Sequence, residues 1–235
     1  MKKVRILMFC CILLLVGCTN GIEKNTSKQN KDVAKWSKPR TNLFSSLDYP
    51  ELSKTEAEKL MEEKFELVIP SFFEQSLALT QKLLRIENQV QYSIKSDAEI
   101  LTIRGGMTGK EDKSPNSVGL AEAQFQVNQQ RKQVYLTKQS ILIQNIAAGN
   151  ALQGDSIRSL VKRVGEAMEL PDLDQVMKQS EKKMAHEKNE GPNQLLEIYN
   201  DSETAKKQQR ASRILTISYD EKHLVKEIYG LISIE

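Results

Sequence analysis

Cysteine is nearly missing from this chain. Cys10, Cys11 and Cys18 all fall within the first eighteen residues, and none follows. No disulfide can staple the body, and it has no thiol for catalysis or metal binding. Histidine is as scarce. His186 and His223 are the only two, and neither has a second His, a Cys or a carboxylate at a zinc-site spacing. One Trp and 6% aromatic residues predict a core of moderate hydrophobicity. Serine-nucleophile patterns are missing too, with no Gly-x-Ser-x-Gly and no Ser-x-x-Lys accompanied by its partner motifs. Such a chain must hold together by apolar packing, and it advertises no chemistry.

What is present begins at the N-terminus. Lys2, Lys3 and Arg5 precede an apolar run from Ile6 to Val16, broken only by Cys10 and Cys11. That run is about half the roughly 20 residues a spanning helix needs, so it is a poor permanent span. Leu15-Val16-Gly17-Cys18 resembles the lipobox of bacterial lipoproteins: an aliphatic residue, a variable one, a small one, then cysteine. The resemblance implies that residues 1–17 are a cleaved signal peptide. It also implies that Cys18 carries a diacylglyceryl group and becomes the acylated N-terminus. Two acyl chains anchor stably where one does not. The expected location is the extracytoplasmic face of the cell membrane.

Cleavage changes the charge. The 34 Lys and Arg include Lys2, Lys3 and Arg5; without them the basic residues equal the 31 Asp and Glu in number. The basic balance therefore belongs to the leader. It gives no ground for nucleic-acid binding, which needs a basic face. Residues 18–50 read as lipid anchor and tether, since Thr19 to Lys38 is rich in Lys, Asn, Ser, Gln and Thr. Trp36 is the apolar exception, either a membrane-interface residue or a packing residue near the domain start.

The domain is expected over 51–235, with possible subdomains 51–150 and 151–235. Ser53-Lys54-Thr55-Glu56 fits a capping box, and Ala57, Leu60, Met61, Phe65 and Val68 follow at helical spacing. Ser71-Phe72-Phe73-Glu74 offers a second box. The pattern predicts helices over about 53–67 and 71–88, meeting at Pro70. The period then becomes 2. Val90, Tyr92 and Ile94 mark one strand, Ser96-Asp97 a turn, and Ala98–Arg104 a second strand. Gly105–Gly119, with four glycines and Pro115, reads as a loop. Residues 119–152 fit either a hairpin turning at Gln129–Lys132 or one long helix. Helices follow, one capped by Asp155 and carrying Ile157, Leu160, Val161, Val164 and Met168, the next starting at Pro171. Asn189–Pro192 breaks the chain. Gln194–Tyr199 is a short strand or turn of helix, Ser202–Arg210 a polar excursion, and Ile214–Leu231 a hairpin.

This order predicts an α+β fold, helices packed on an antiparallel sheet, with helix-helix-strands occurring twice. The C-terminal half resembles the small envelope lipoprotein domains of the SmpA type. The likeness rests on element order and the hairpin Ser218-Tyr219-Asp220 to Val225-Lys226. It covers at most eighty residues and implies no site.

Candidate sites are few. Arg104-Gly105-Gly106-Met107-Thr108-Gly109-Lys110 invites a phosphate-loop reading but lacks Gly at its start and Ser or Thr after the Lys. Its glycines are better read as a loop, usable as a binding lip. Asp172 and Asp174 lack the further oxygen ligands of a calcium loop and suit a helix N-terminus. Met168, Met177 and Met184 read as core. No catalytic, cofactor or metal residue is implied, and Cys18 stands alone as a lipidation site. The residues favour a membrane-anchored interaction module for envelope proteins or wall components. A small-molecule or peptide binder is the alternative, and an enzyme the third class.

Overall fold

Nine strands form one antiparallel sheet among the residues that the computed structural model describes, 37–84, 89–111, 114–146, 157–187 and 194–234. The strands are β1 (Ser37–Pro39), β2 (Leu47–Leu52), β3 (Gln91–Asp97), β4 (Ile100–Glu111), β5 (Ser114–Asn128), β6 (Gln133–Asn145), β7 (Leu195–Asn200), β8 (Ser212–Tyr219) and β9 (Val225–Ser233). Their spatial order is β2-β3-β4-β5-β6-β9-β8-β7. The short β1 shares the β9 side of β6, opposite Gln133–Tyr135. The fold is α+β. Two strands precede the first described helix, so the described sheet reaches back to Ser37, ahead of the expected boundary at 51. Residues 37–52 have no apolar periodicity of their own; pairing with β6 and β3 makes them strands.

One face of the sheet is buried. Ile94, Leu101, Ile103, Ala121, Ala123, Ile141, Ile143, Leu215, Ile217 and Ile228 alternate along their strands and are all inaccessible to solvent. Helices α1 (Lys54–Lys59), α2 (Ser71–Leu84), α3 (Ile157–Ala167) and α4 (Leu173–Glu187) supply the other half of this core. α1 lies by β2 and β3, α2 by β4 to β6, and α4 by β7, with α3 between α2 and α4.

The capping box at Ser53 is present: Glu56 N–H donates to Ser53 Oγ at 3.3 Å, and Ser53 N–H to Glu56 Oε2 at 2.8 Å. α1 then widens into a π-turn over Leu60–Lys64, where Phe65 N–H reaches Leu60 C=O at 3.2 Å. Ala57, Met61 and Phe65 recur every four residues. The wider turn keeps Met61 and Phe65 both inward, each at most 2% exposed. The second box fails. α2 starts at Ser71 itself, and Glu74 turns to Lys54, 3.1 Å away.

The sequence-derived loop at Gly105–Gly119 is corrected. Gly105 to Glu111 continues β4, and Ser114 to Gly119 opens β5, paired from Gly105–Ala121 to Glu111–Ser114. Gly105 and Gly119 serve helix packing. A Cβ on Gly105 would lie 2.7 Å from Leu77 Cδ1, and one on Gly119 only 1.9 Å from Thr80 Cγ2. Turns use other residues: Ala98, Lys132 and His223 take positive φ of 42°, 51° and 58°. Between the two readings of 119–152, the hairpin holds, turning at residues 129–132. The polar excursion after β7 contains α5 (Ser202–Lys207). Asp155 and the predicted breaker at 189–192 lie outside the described residues.

Gly119→Ala should lower the unfolding free energy by about 1–3 kcal/mol through overpacking. Thr80→Ser removes the clashing methyl and should recover part of that loss in the Gly119→Ala background. Urea unfolding of the wild type, both single variants and the double variant measures the coupling. Strict additivity would refute the contact.

Candidate interaction face

The opposite face of the sheet carries none of the helices α1 to α4. Strand alternation sends every second side chain there. Leu120, Leu142, Tyr229 and Thr216 form one row across β5, β6, β9 and β8. Ser140, Leu231 and Ile214 form the next. Val118 lies two residues before Leu120 on the same side. These apolar side chains are half-buried, where their inward neighbours are fully buried. Leu195, opposite Ser218 on the same face, is 67% exposed, and Ile100, opposite Gln126, is 38% exposed. Half-exposed β-sheet surface bearing Leu, Ile and Tyr across four strands is a physical basis for association.

A charged group borders this patch. Arg104 on β4 sits opposite Glu122 on β5, with Nε 2.7 Å from Oε2, and Lys138 Nζ on β6 reaches Oε1 at 3.1 Å. Burial works to raise the Glu122 pKa. The hydrogen bonds from Arg104 and Lys138 outweigh it and hold the carboxyl below its ordinary value. Glu122 is the best shielded of the three, with its side chain 12% exposed. The triad braces β4, β5 and β6 and ends the apolar rows on that side.

A second polar cluster lies at the start of α5. Asp201 Oδ2 accepts from Arg210 Nη1 at 2.5 Å and from the Tyr199 hydroxyl at 3.2 Å, and Oδ1 accepts from Arg213 N–H at 2.6 Å. Arg213 Nε donates in turn to Met168 C=O at 2.9 Å. Burial first, and Asp201 second, push the Tyr199 phenol up to about 12. These bonds tie α5, β7, β8 and the end of α3 together. They occupy both Asp201 oxygens and leave the phenol protonated at neutral pH, which suits bracing rather than proton transfer.

Sequence candidates disperse. His223 sits in the β8–β9 turn, and His186 is in the last turn of α4. Asp172 and Asp174 flank Leu173 at the start of α4, both exposed. Met168 and Met177 are buried and Met184 half-buried. The glycines of the proposed lip lie in strands β4 and β5. Cys18 and Trp36 lie outside the described residues. Among the described residues, no group of three or more His, Cys, Asp or Glu is placed to hold a metal ion. No described helix is long and apolar enough to cross a membrane.

The sequence reading missed the bare face. A signal was there: Ile141-Leu142-Ile143 and Ile228–Ile232 are apolar at both parities, the mark of strands with two apolar faces. Comparison with family models, curated proteins and solved structures finds no match to the chain.

Glu122→Gln should cost about 1–2 kcal/mol at pH 7, the worth of hydrogen bonds to a charged group. A lowered folded-state pKa gives stability that is present above the unfolded value and lost as pH falls through the folded one. The difference between wild type and variant should therefore shrink in acid. Chemical denaturation at pH 7 and pH 3 tests this, and an equal difference at both would refute the charged triad.

Proposed function

We propose that the chain is a membrane-anchored extracytoplasmic lipoprotein whose domain is an interaction module for envelope proteins or wall components. The observation that carries the interaction reading is the half-exposed apolar patch Leu120–Leu142–Tyr229–Leu231–Ile214 on the bare sheet face. A small-molecule binder calls for a deep apolar pocket with a few convergent polar groups. Two surface hollows, by β2 and by the start of α4, are open depressions. An enzyme calls for converging titratable groups with shifted pKa values. Among the described residues the shifted groups are Lys54, Glu56 and Tyr92 around α1, Glu122 in the ion triad and Tyr199 beside α5.

The anchor is argued from sequence: the positive start, the apolar run and Leu15-Val16-Gly17-Cys18. Within this reading the helix-helix-strands order occurs twice, α1–α2 before β3–β6 and α3–α4 before β7–β9. The additions are β1 and β2 ahead of the first set and α5 within the second. The SmpA-type likeness of the C-terminal half belongs to the same reading.

Cys18→Ala should abolish palmitate labelling and slow leader processing in cells; continued labelling would sink the anchor. For the face, a photo-crosslinking residue at Leu142 or Tyr229 in the full-length lipidated protein should give a discrete adduct, identified by mass spectrometry. The same probe at Lys178, on the exposed side of α4, should not. Equal adducts at both positions, or none at Leu142 and Tyr229, would reject the sheet face as the interface.

A further inference from the structure

The flank of the molecule at β2 carries a second surface with its own chemistry. β2 is one edge of the sheet, and Tyr49 and Leu52 point toward the helix side, opposite Ile94 and Tyr92 of β3. There they meet the π-turn. Tyr49, Leu52, Glu56, Lys59, Leu60, Glu63 and Lys64 line an open groove of about 510 Å³. Its floor is apolar, from Tyr49, Leu52 and Leu60.

The segment that builds this groove is acidic, although in the lining itself Glu56 and Glu63 stand beside Lys59 and Lys64. Residues 48–66 hold seven acids, Asp48, Glu51, Glu56, Glu58, Glu62, Glu63 and Glu66, against three bases. The rest of the chain is net basic, with 31 Lys and Arg against 24 Asp and Glu. The bases are engaged locally. Lys54 bridges Glu58 and Glu74 at 3.4 and 3.1 Å, and Lys59 lies 3.9 Å from Glu63. Lys64 is the informative one. Its Nζ donates to the Tyr49 hydroxyl at 2.9 Å and stands 5.4 Å from the ring centroid. The groove already seats an ammonium on its aromatic wall, and that ammonium belongs to an exposed, displaceable side chain.

We propose that this groove binds a cationic, partly apolar peptide segment of a protein partner. A Lys or Arg of the segment takes the place of Lys64 over Tyr49, beside Glu63. An apolar neighbour covers Leu52 and Leu60. Strand addition is not the mode, because Pro50 and the register shift between Tyr49 and Leu52 spoil the edge for pairing. An anionic lipid surface is disfavoured by the same acids that favour the peptide. The site is separate from the bare sheet face, so the two readings stand or fall apart.

The test uses the full-length lipidated protein in detergent micelles and a fluorescein-labelled twelve-residue peptide of alternating Lys and Leu. The matching Glu-Leu peptide and an all-Lys peptide serve as controls. The Lys-Leu peptide should bind at least about fivefold more tightly than either control. The exposed double change Glu62→Gln with Glu63→Gln should weaken it about three- to tenfold, by roughly 0.7–1.4 kcal/mol. Tyr49→Phe should weaken it less than Tyr49→Ala, because the ring is retained. Glu221→Gln, in the β8–β9 turn, should leave it unchanged. All-Lys binding as tight as Lys-Leu, or an equal loss from Glu221→Gln, would reduce the effect to general charge attraction and overturn the groove. So would failure of the Lys-Leu peptide to bind.

Discussion

The close seating of α2 on the sheet is the constraint on which the other features depend. Leu77 and Thr80 occupy space that any side chain at Gly105 or Gly119 would claim. Ala121 and Ala123, fully buried beside them on β5, keep the floor thin. At such distances side chains of both layers interdigitate, and a single methyl is felt. α3 repeats the arrangement at Gly230, where an added Cβ would meet Met168 Sδ at 2.9 Å. Strand glycine weakens the strand itself. Here that loss is offset by the apolar area that the helices cover.

Seating all four long-axis helices on one face decides the character of the other. The helix-covered face buries Ile, Leu, Val and Ala almost completely. It also buries hydroxyls: Ser76 and Thr80, one turn apart on α2, lack hydrogen-bond partners, as does Gln139 Oε1 on β6. Each unsatisfied group costs about 1–3 kcal/mol. The covered layer therefore bears the desolvation cost of these groups, while the opposite face carries the Arg104–Glu122–Lys138 bracing. Association through the bare face leaves the core packing untouched.

Much of the fold was legible because it is written in local chemistry. Ser53 and Glu56 announce α1, the helical spacing from Phe73 to Leu84 announces α2, and Gln129–Lys132 places the β5–β6 turn. The C-terminal hairpin follows from alternation on each side of Asp220–Lys222. What misled was glycine. Gly105, Gly106, Gly109 and Gly119 form a loop-like cluster by composition, yet Gly105 and Gly119 sit where helices press on the sheet. Only the tertiary partner, Leu77 or Thr80, distinguishes that use from a turn. Within the turns the positive-φ positions fall on Ala98, Lys132 and His223 rather than on glycine. β1 and β2 were hidden for a related reason, since their pairing partners lie some 40 to 100 residues away. The candidate face is hidden because apolar residues at both parities also mark a strand buried on both of its faces.

Sheet proteins must also govern where they do not associate, and the edges here are closed to pairing. β2 carries Pro50 and a register shift, and β7 is six residues long with a shift between Glu197 and Tyr199. Lys183 on α4 adds a hydrogen bond to the Glu197 carbonyl at 2.7 Å, taking up an edge acceptor. Short, bulged and occupied edges suppress strand-to-strand association. A partner must then meet side chains rather than backbone. Residues on paired strands hold their positions before binding, so less ordering entropy is lost than on a loop. Blunted edges and a rigid apolar face together favour selective contact through side-chain complementarity over open-ended sheet extension.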